Sequence, residues 1–147
     1  MGKLSIRDML ENDLPAVLAI EQISFSAPYS KEYFLNELYK KHVLLNVAIF
    51  EGKVIGYLCA DYENHEAQIL NLAIDPDFRR RGAATRLMTQ AMRNLKKEGC
   101  VFVYLVVRAS NTGAQKFYER FGFKVETIRK KYYSDPDEDA LKMMGRL

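Results

Sequence analysis

The sequence predicts a mixed α/β fold, and three features carry that expectation. Residues 43–50, 54–62 and 67–74 have strand character and are separated only by the turns Glu51-Gly52-Lys53 and Glu63-Asn64-His65, the pattern of three successive antiparallel strands. Residues 83–98 change period: Leu87, Met88, Ala91, Met92 and Leu95 recur at helical spacing, and Gly99 ends the helix. Residues 101–107 then form a continuous apolar run, the composition of a strand buried on both faces. A helix between two central strands is the connection expected of a mixed α/β architecture.

The remaining elements fit around that centre. Residues 3–7 read as a first strand. Asn12 and Asp13 offer N-caps, Pro15 is tolerated in a first turn, and Leu14, Val17, Leu18, Ile20 and Ile23 make a helical stripe. After the loop of residues 25–30, Ser30 caps a second helix that runs to Tyr39. Asn111 caps a short helix carrying Ala114, Phe117, Tyr118 and Phe121, which Gly122 ends. Residues 123–133 and 140–146 can pair as terminal strands across the acidic loop 134–139. The expected order is βααβββαβαββ.

Composition narrows the function classes. At 147 residues the chain reads as one domain over residues 1–147, long enough to bury roughly 70% of its unfolded surface. Its 48% hydrophobic and 28% charged residues argue against disorder, and a net charge of +3 is too small for a polycation. No direct nucleic-acid partner is expected from bulk charge. Cys59 and Cys100 sit in apolar stretches and read as small buried hydrophobes in a reducing compartment. No apolar run approaches ~20 residues and the N-terminus lacks a signal-peptide core, so a cytoplasmic protein without a membrane partner is expected, as a monomer or weak dimer. His42 and His65 are isolated, and no metal, Ser-His-Asp or paired-carboxylate pattern is present.

The chemistry concentrates in residues 69–85, where an apolar strand runs through a turn into a basic, glycine-bearing helix start. Such a junction gathers unpaired backbone N–H groups, helix-dipole charge and arginines, which suits a phosphate-bearing ligand. Arg79, Arg80 and Arg81 alone could be a solvated charge run or a nucleic-acid patch. Gly82 shifts the balance, because a residue without Cβ lets the backbone approach a diphosphate. Arg79, Gly82 and Ala84 fit Arg/Gln-x-x-Gly-x-Gly/Ala, and in this the sequence resembles the GNAT superfamily of acetyltransferases. The resemblance implies a GNAT fold, a mixed sheet of about seven strands with helices on both faces, and acetyl-CoA as co-substrate with no metal. It also implies that the backbone amides of Arg80, Arg81, Gly82, Ala83, Ala84 and Thr85 hold the pyrophosphate. Leu72, Ala73 and Ile74 would line the pantetheine arm by strand-like hydrogen bonds; as plain core they need no ligand.

A second constellation is Asn111 followed by Tyr118 and Gly122-Phe123, the Asn-x₅₋₆-Tyr-x₃-Gly-Phe pattern of GNAT enzymes. By the resemblance Asn111 contacts the cofactor and Tyr118 is the general acid. The chemistry is coherent: amine attack on a thioester expels a thiolate whose thiol has a pKa of roughly 8.5, and a tyrosine near 10 can protonate it. The bland reading of Tyr118 is an aromatic on the buried face of a short helix.

Within the superfamily, three stretches resemble the RimI-type N-terminal alanine acetyltransferases: Ala-Pro-Tyr-Ser at 27–30, Val-Arg-Ala-Ser-Asn at 107–111, and Ile-Arg-Lys-Lys-Tyr-Tyr at 128–133 before the acidic loop. That likeness implies a protein N-terminal α-amine as acceptor, with Phe25, Pro28, Tyr29, Tyr132 and Tyr133 flanking the peptide groove. Tyr132 and Tyr133 read equally as hairpin surface residues. The acidic loop is a solvated turn or an attractor for a basic peptide. Alternatives for the function are a small amine, an amino acid or a lysine side chain as acceptor, or a non-catalytic acyl-CoA sensor.

One departure bears on mechanism. The RimI pattern has a glutamate, resembling a general base, where this chain has Val106. An α-amine with a pKa near 8 is neutral roughly 10% of the time at pH 7, a lysine near 10.4 less than about 0.1%. A site without that carboxylate is therefore less handicapped on an N-terminal amine. Glu66, at the start of the preceding strand, is the expected substitute proton acceptor, with a backbone-held water as the other option.

Overall fold

The structure, a computed structural model, describes residues 2–134 and 137–147. Among them the elements run in the expected order: β1 (Leu4–Asp8), α1 (Leu14–Ser24), α2 (Lys31–Leu38), β2 (Val43–Phe50), β3 (Lys53–Glu63), β4 (Glu66–Ile74), α3 (Ala83–Lys97), β5 (Phe102–Arg108), α4 (Thr112–Glu119), β6 (Lys124–Tyr133) and β7 (Glu138–Arg146). The seven strands form one sheet in the order β1-β2-β3-β4-β5-β7-β6. β1 to β4 are antiparallel neighbours, β4 and β5 are parallel, and β7 inserts between β5 and β6. This is the GNAT fold, a mixed seven-stranded sheet with helices on both faces.

Two apolar cores lie on opposite faces of the sheet. One packs Leu87, Met88, Ala91 and Leu95 of α3 with Tyr118 of α4 against Ile55, Val103 and Leu105. The other packs Leu14, Val17 and Ile20 of α1 with Phe34 of α2 against Val47, Tyr57 and Ala73.

The feature that positions the site is the β4–β5 junction. Parallel pairing covers only Glu66↔Phe102, Ala67↔Val103 and Gln68↔Tyr104, although β4 continues to Ile74 and β5 to Arg108. At the last rung the Tyr104 hydroxyl donates to Gln68 Oε1 at 3.0 Å. Just beyond it the β3–β4 register slips, with Ile69 and Asn71 opposite Ala60 and Cys59, so Leu70 is an extra residue. A bulge bends the strand that carries it. β4 leaves β5, and a wedge opens in the middle of the sheet.

The bulge also swaps the faces of β4. Ala67 and Ile69 join the α3 core before it, whereas Ala73 joins the α1–α2 core after it.

Three local expectations are corrected. β5 is not buried evenly on both faces; it alternates, with Val103, Leu105 and Val107 buried in the α3 core and Phe102 exposed, so only the face toward α3 is fully covered. Ile23 is 63% exposed, and the seventh position after Leu14 is taken instead by Glu21, which is 1% exposed. Asp13 precedes α1 but its side chain does not cap the helix. Its carboxylate accepts from Arg7 at 2.7 and 2.9 Å and from the Leu10 N–H at 2.7 Å, tying β1 to the turn before α1. Ser30 and Asn111 do cap α2 and α4 through Tyr33 N–H and Ala114 N–H.

Candidate active site

A pocket of about 510 Å³ opens at the wedge and runs to the start of α3. Its floor is Leu72, Ala73 and Ile74, whose edge β5 has left unpaired. One end is the turn Arg79, Arg80, Gly82, Ala83, Ala84 and Thr85. Gly82 precedes α3 at φ 81°, and Arg80 is also left-handed at φ 64°. No side chain caps this helix, and the first helical bond is Arg86 N–H to Gly82 C=O. The N–H groups of Ala83, Ala84 and Thr85 are therefore without helical acceptors at the positive end of the dipole. An anion is the natural complement of that end.

The other wall is α4, with Asn111, Gly113, Ala114, Phe117, Tyr118 and Arg120. Asn111 Oδ1 is used by the cap, at 3.1 Å from Ala114 N. Tyr118 packs in the α3 core, 8% exposed, with its ring 5.8 Å from Phe123. Burial pushes its phenol up to about 12.

The pocket thus gathers every expected donor-side residue except one. Arg81 turns away, its guanidinium 5.0 Å over the Phe50 ring and 5.5 Å over Phe78. A cation packed on two rings is held at that position by dispersion and the ring quadrupoles. Ser24, Phe78, Gly113, Ala114, Phe117 and Arg120 also line the pocket and were not singled out from sequence. Arg120 and Phe117 lay within reach of inspection, since they share a helix with Tyr118.

On the opposite side of the sheet lies a cluster of tyrosines. Tyr29 and Tyr33 stack with centroids 4.0 Å apart, and Tyr132 and Tyr133 meet edge to face at 5.0 Å. Burial raises the phenols of Tyr29 and Tyr133, and each lies within interaction range of Tyr132, which brings the loop after α1 near the end of β6. Arg108 lies 4.3 Å over Tyr133 and pairs with Glu138 at 3.3 Å. Phe25 contributes to the wall of the pocket, and Pro28 sits in the exposed loop between it and Tyr29.

Glu66 is not brought to this site. It pairs with Phe102 at the closed end of the β4–β5 junction, and six residues of strand put it about 20 Å from Leu72. A proton acceptor must reach within about 3 Å of its proton or act through one water. The role expected of Glu66 is therefore withdrawn. In the acidic loop, Asp135 and Pro136 lie outside the described residues. Glu138 is engaged by Arg108 and Ser110 N–H, and Asp139 by Lys130 and Lys131 N–H, so both carboxylates are occupied within the fold. Among the described residues no group of His, Cys, Asp and Glu is arranged to hold a metal, and no helix is long and apolar enough to cross a membrane.

Residues 13–123 match the family model of the acetyltransferase (GNAT) family. The chain belongs to the GNAT family. It is an acetyl-CoA-dependent N-acetyltransferase by that membership. This GNAT chain is 34% identical over 142 residues to the [ribosomal protein bS18]-alanine N-acetyltransferase of Escherichia coli K12, covering 95% of each chain. Its fold is similar to the crystal structure of the E. coli ribosomal-protein-S18-alanine N-acetyltransferase, with TM-score 0.91, 33% identity, and 98% and 94% of the two chains covered. It is also similar to that of Ard1 from Thermoplasma volcanium, with TM-score 0.90, 28% identity, and 98% and 97% covered.

Proposed function

We propose that this GNAT enzyme moves acetyl from acetyl-CoA to the α-amine of a protein N-terminus, with alanine as the first residue, by direct attack in a ternary complex. The observation that carries the reading is the wedge between β4 and β5. It joins a pocket suited to a phosphate-bearing acyl donor on one side of the sheet to a tyrosine-lined surface on the other. The named acceptor of the relatives, the alanine of ribosomal protein bS18, supports alanine as the first residue here.

In this reading the amides of Ala83, Ala84 and Thr85, with those of Arg80, Arg81 and Gly82, hold the pyrophosphate. Leu72, Ala73 and Ile74 offer the unpaired edge of β4 to the amides of the pantetheine arm, and Asn111 reaches the same arm. Tyr29, Tyr132 and Tyr133, with Phe25 and Pro28, flank the incoming chain.

The neutral amine attacks the thioester carbonyl carbon; the C–N bond forms as the C–S bond breaks. One amine proton leaves the nitrogen, and the thiolate takes up one proton to become the CoA thiol. A phenol near 12 beside a thiol near 8.5 differs by about 3.5 pKa units, so full transfer from Tyr118 costs roughly 5 kcal/mol. Tyr118 therefore works mainly as a hydrogen-bond donor to the leaving sulfur, and the proton it helps deliver originates on the amine. Val106 leaves no carboxylate at the strand position; an acceptor already partly neutral at pH 7 is less dependent on one, and a water takes the amine proton and passes it toward the thiolate.

The test is acetylation of short peptides followed by mass spectrometry. Alanine-initiated peptides gain 42 Da (one acetyl replacing hydrogen, about that mass by elementary composition), while the same peptides blocked at the N-terminus but carrying lysine do not. Turnover of the blocked lysine peptides, or of free small amines alone, would overturn the choice of acceptor. Binding of acetyl-CoA without turnover on any amine would favour a sensor.

A further inference from the structure

A buried polar cluster lies beside the tyrosine surface and is centred on Glu21. The residue is 1% exposed, in the last turns of α1. Oε1 accepts from the Tyr57 hydroxyl on β3 and from Asn71 Nδ2 on β4 at 3.2 Å, and Oε2 accepts from the Tyr29 N–H at 3.0 Å. Asn71 Oδ1 in turn receives the Tyr33 hydroxyl at 3.5 Å. All three groups on the carboxylate are donors. The Tyr29 N–H and the Asn71 Nδ2 can only donate, so both oxygens of the carboxyl group serve as acceptors here. Among the described residues Glu21 forms no ion pair.

A buried carboxyl group costs free energy unless its oxygens are hydrogen-bonded, and apolar residues would fill the same space at lower cost. What this carboxylate does that an apolar side chain cannot is hold the backbone N–H of an exposed loop residue. Tyr29 is 45% exposed, in a loop whose own secondary structure is minimal. Its N–H is joined through Glu21 to Asn71, which adjoins the pocket floor at Leu72.

We propose that Glu21 is a positioning residue for the acceptor: its carboxylate fixes the Tyr29 loop to β3 and β4, and so sets the distance between the incoming amine and the thioester. The proposal rests on the reading that the Tyr29 loop flanks the acceptor. It places Asn71, presented to Glu21 by the Leu70 bulge, in the same unit. Cofactor binding at the α3 end is separate, because among the described residues the hydrogen-bond partners of the carboxylate are Tyr29, Tyr57 and Asn71, none of which lies on α3.

Glu21→Gln tests this, since a carboxamide nitrogen in place of one oxygen cannot accept the Tyr29 N–H and the Tyr57 hydroxyl as before. Losing the Tyr29 bond releases the loop, so the KM for an alanine-initiated peptide is expected to rise about tenfold. The Kd for CoA and kcat at saturating peptide should stay within about threefold, and amide exchange at Tyr29 should accelerate about tenfold while β3 and β4 stay protected. Tyr57→Phe removes another donor to the same carboxylate but leaves the Tyr29 bond, and should leave the peptide KM within about twofold. An unchanged peptide KM, a protected Tyr29 amide, or equal KM effects of the two variants would overturn the proposal. Should Glu21→Gln not fold, Glu21→Asp, which keeps the carboxyl group and shortens the reach, is read by the same measurements. Failure of the wild type to acetylate any peptide would instead refute the acceptor reading, and Tyr29 exchange would still report whether Glu21 holds the loop.

Discussion

Tyr118 and Asn111 stand seven residues apart in sequence and face one pocket because Asn111 caps the helix on which Tyr118 is carried. Spacing and capping chemistry are local, so this pair was readable before any fold was known. The setting of Tyr118 was not. Burial raises its phenol to about 12, so in the proposed mechanism it stays protonated and serves as a hydrogen-bond donor across the working range. Tyr118→Phe is expected to lower kcat by about 10²-fold, with CoA binding within about twofold, as measured by steady-state kinetics and calorimetry. Because the protonated phenol is the active form and its folded value is raised, no activity loss attributable to Tyr118 should occur until pH approaches about 12. A Tyr118-dependent alkaline fall near pH 9 would contradict the assignment. At Val106 the residue alone says only that a carboxylate is missing.

Among the elements, β1 and the turn before α1 depend on one carboxylate. Asp13 is 7% exposed, and the Arg7 guanidinium beside it, helped by the Leu10 N–H, holds its carboxyl below the ordinary range. The unfolded chain binds that proton more tightly than the folded one, so the stabilisation is full above about pH 4 and is lost as pH falls through the lower folded value. Asp13→Asn should therefore be less stable than wild type near neutrality, and the gap should narrow as pH falls below about 4 in denaturant melts. A gap independent of pH would mean that packing, not the ion pair, is what the substitution disturbs. On the far side of the sheet, β7 lies against Phe123. A Cβ at Gly145 would stand 2.9 Å from that ring, and Phe123 is 1% exposed with little room to retreat. Gly145→Ala is expected to cost about 1–3 kcal/mol, read as a lower Tm. Both elements could be located from the sequence, but neither dependence could, because each joins segments that are distant along the chain or separated by a turn whose shape is unstated.

For the whole molecule the wedge is the organising fact, since the sheet is continuous except where β4 parts from β5. A ligand seated there contacts β4, α3 and α4 together, so it should report on global stability. Acetyl-CoA at about 100 times its Kd is expected to stabilise the native state by roughly 2.7 kcal/mol, and so to raise Tm by about 5–10 °C. Thermal melts with and without acetyl-CoA check this, and an unmoved Tm would mean that the folded protein does not bind the donor in preference to the unfolded chain.

Sequence alone determined the donor half. Strand, turn, Gly82 and helix start are contiguous, and the ligand contacts proposed there are largely backbone groups, so their placement follows from local conformation. Tertiary structure decided the acceptor half. The tyrosine surface draws Tyr29 and Tyr33 from one end of the chain and Tyr132 and Tyr133 from the other. Glu66 was removed from the site by the register of β4 on β5, and Glu21 was brought beside it by the Leu70 bulge that turned Asn71 inward. The physical reason is the same in each case. A one-residue shift in a strand exchanges the faces of its side chains, and where pairing stops or slips is set by the packing of the whole sheet rather than by the residues of one strand.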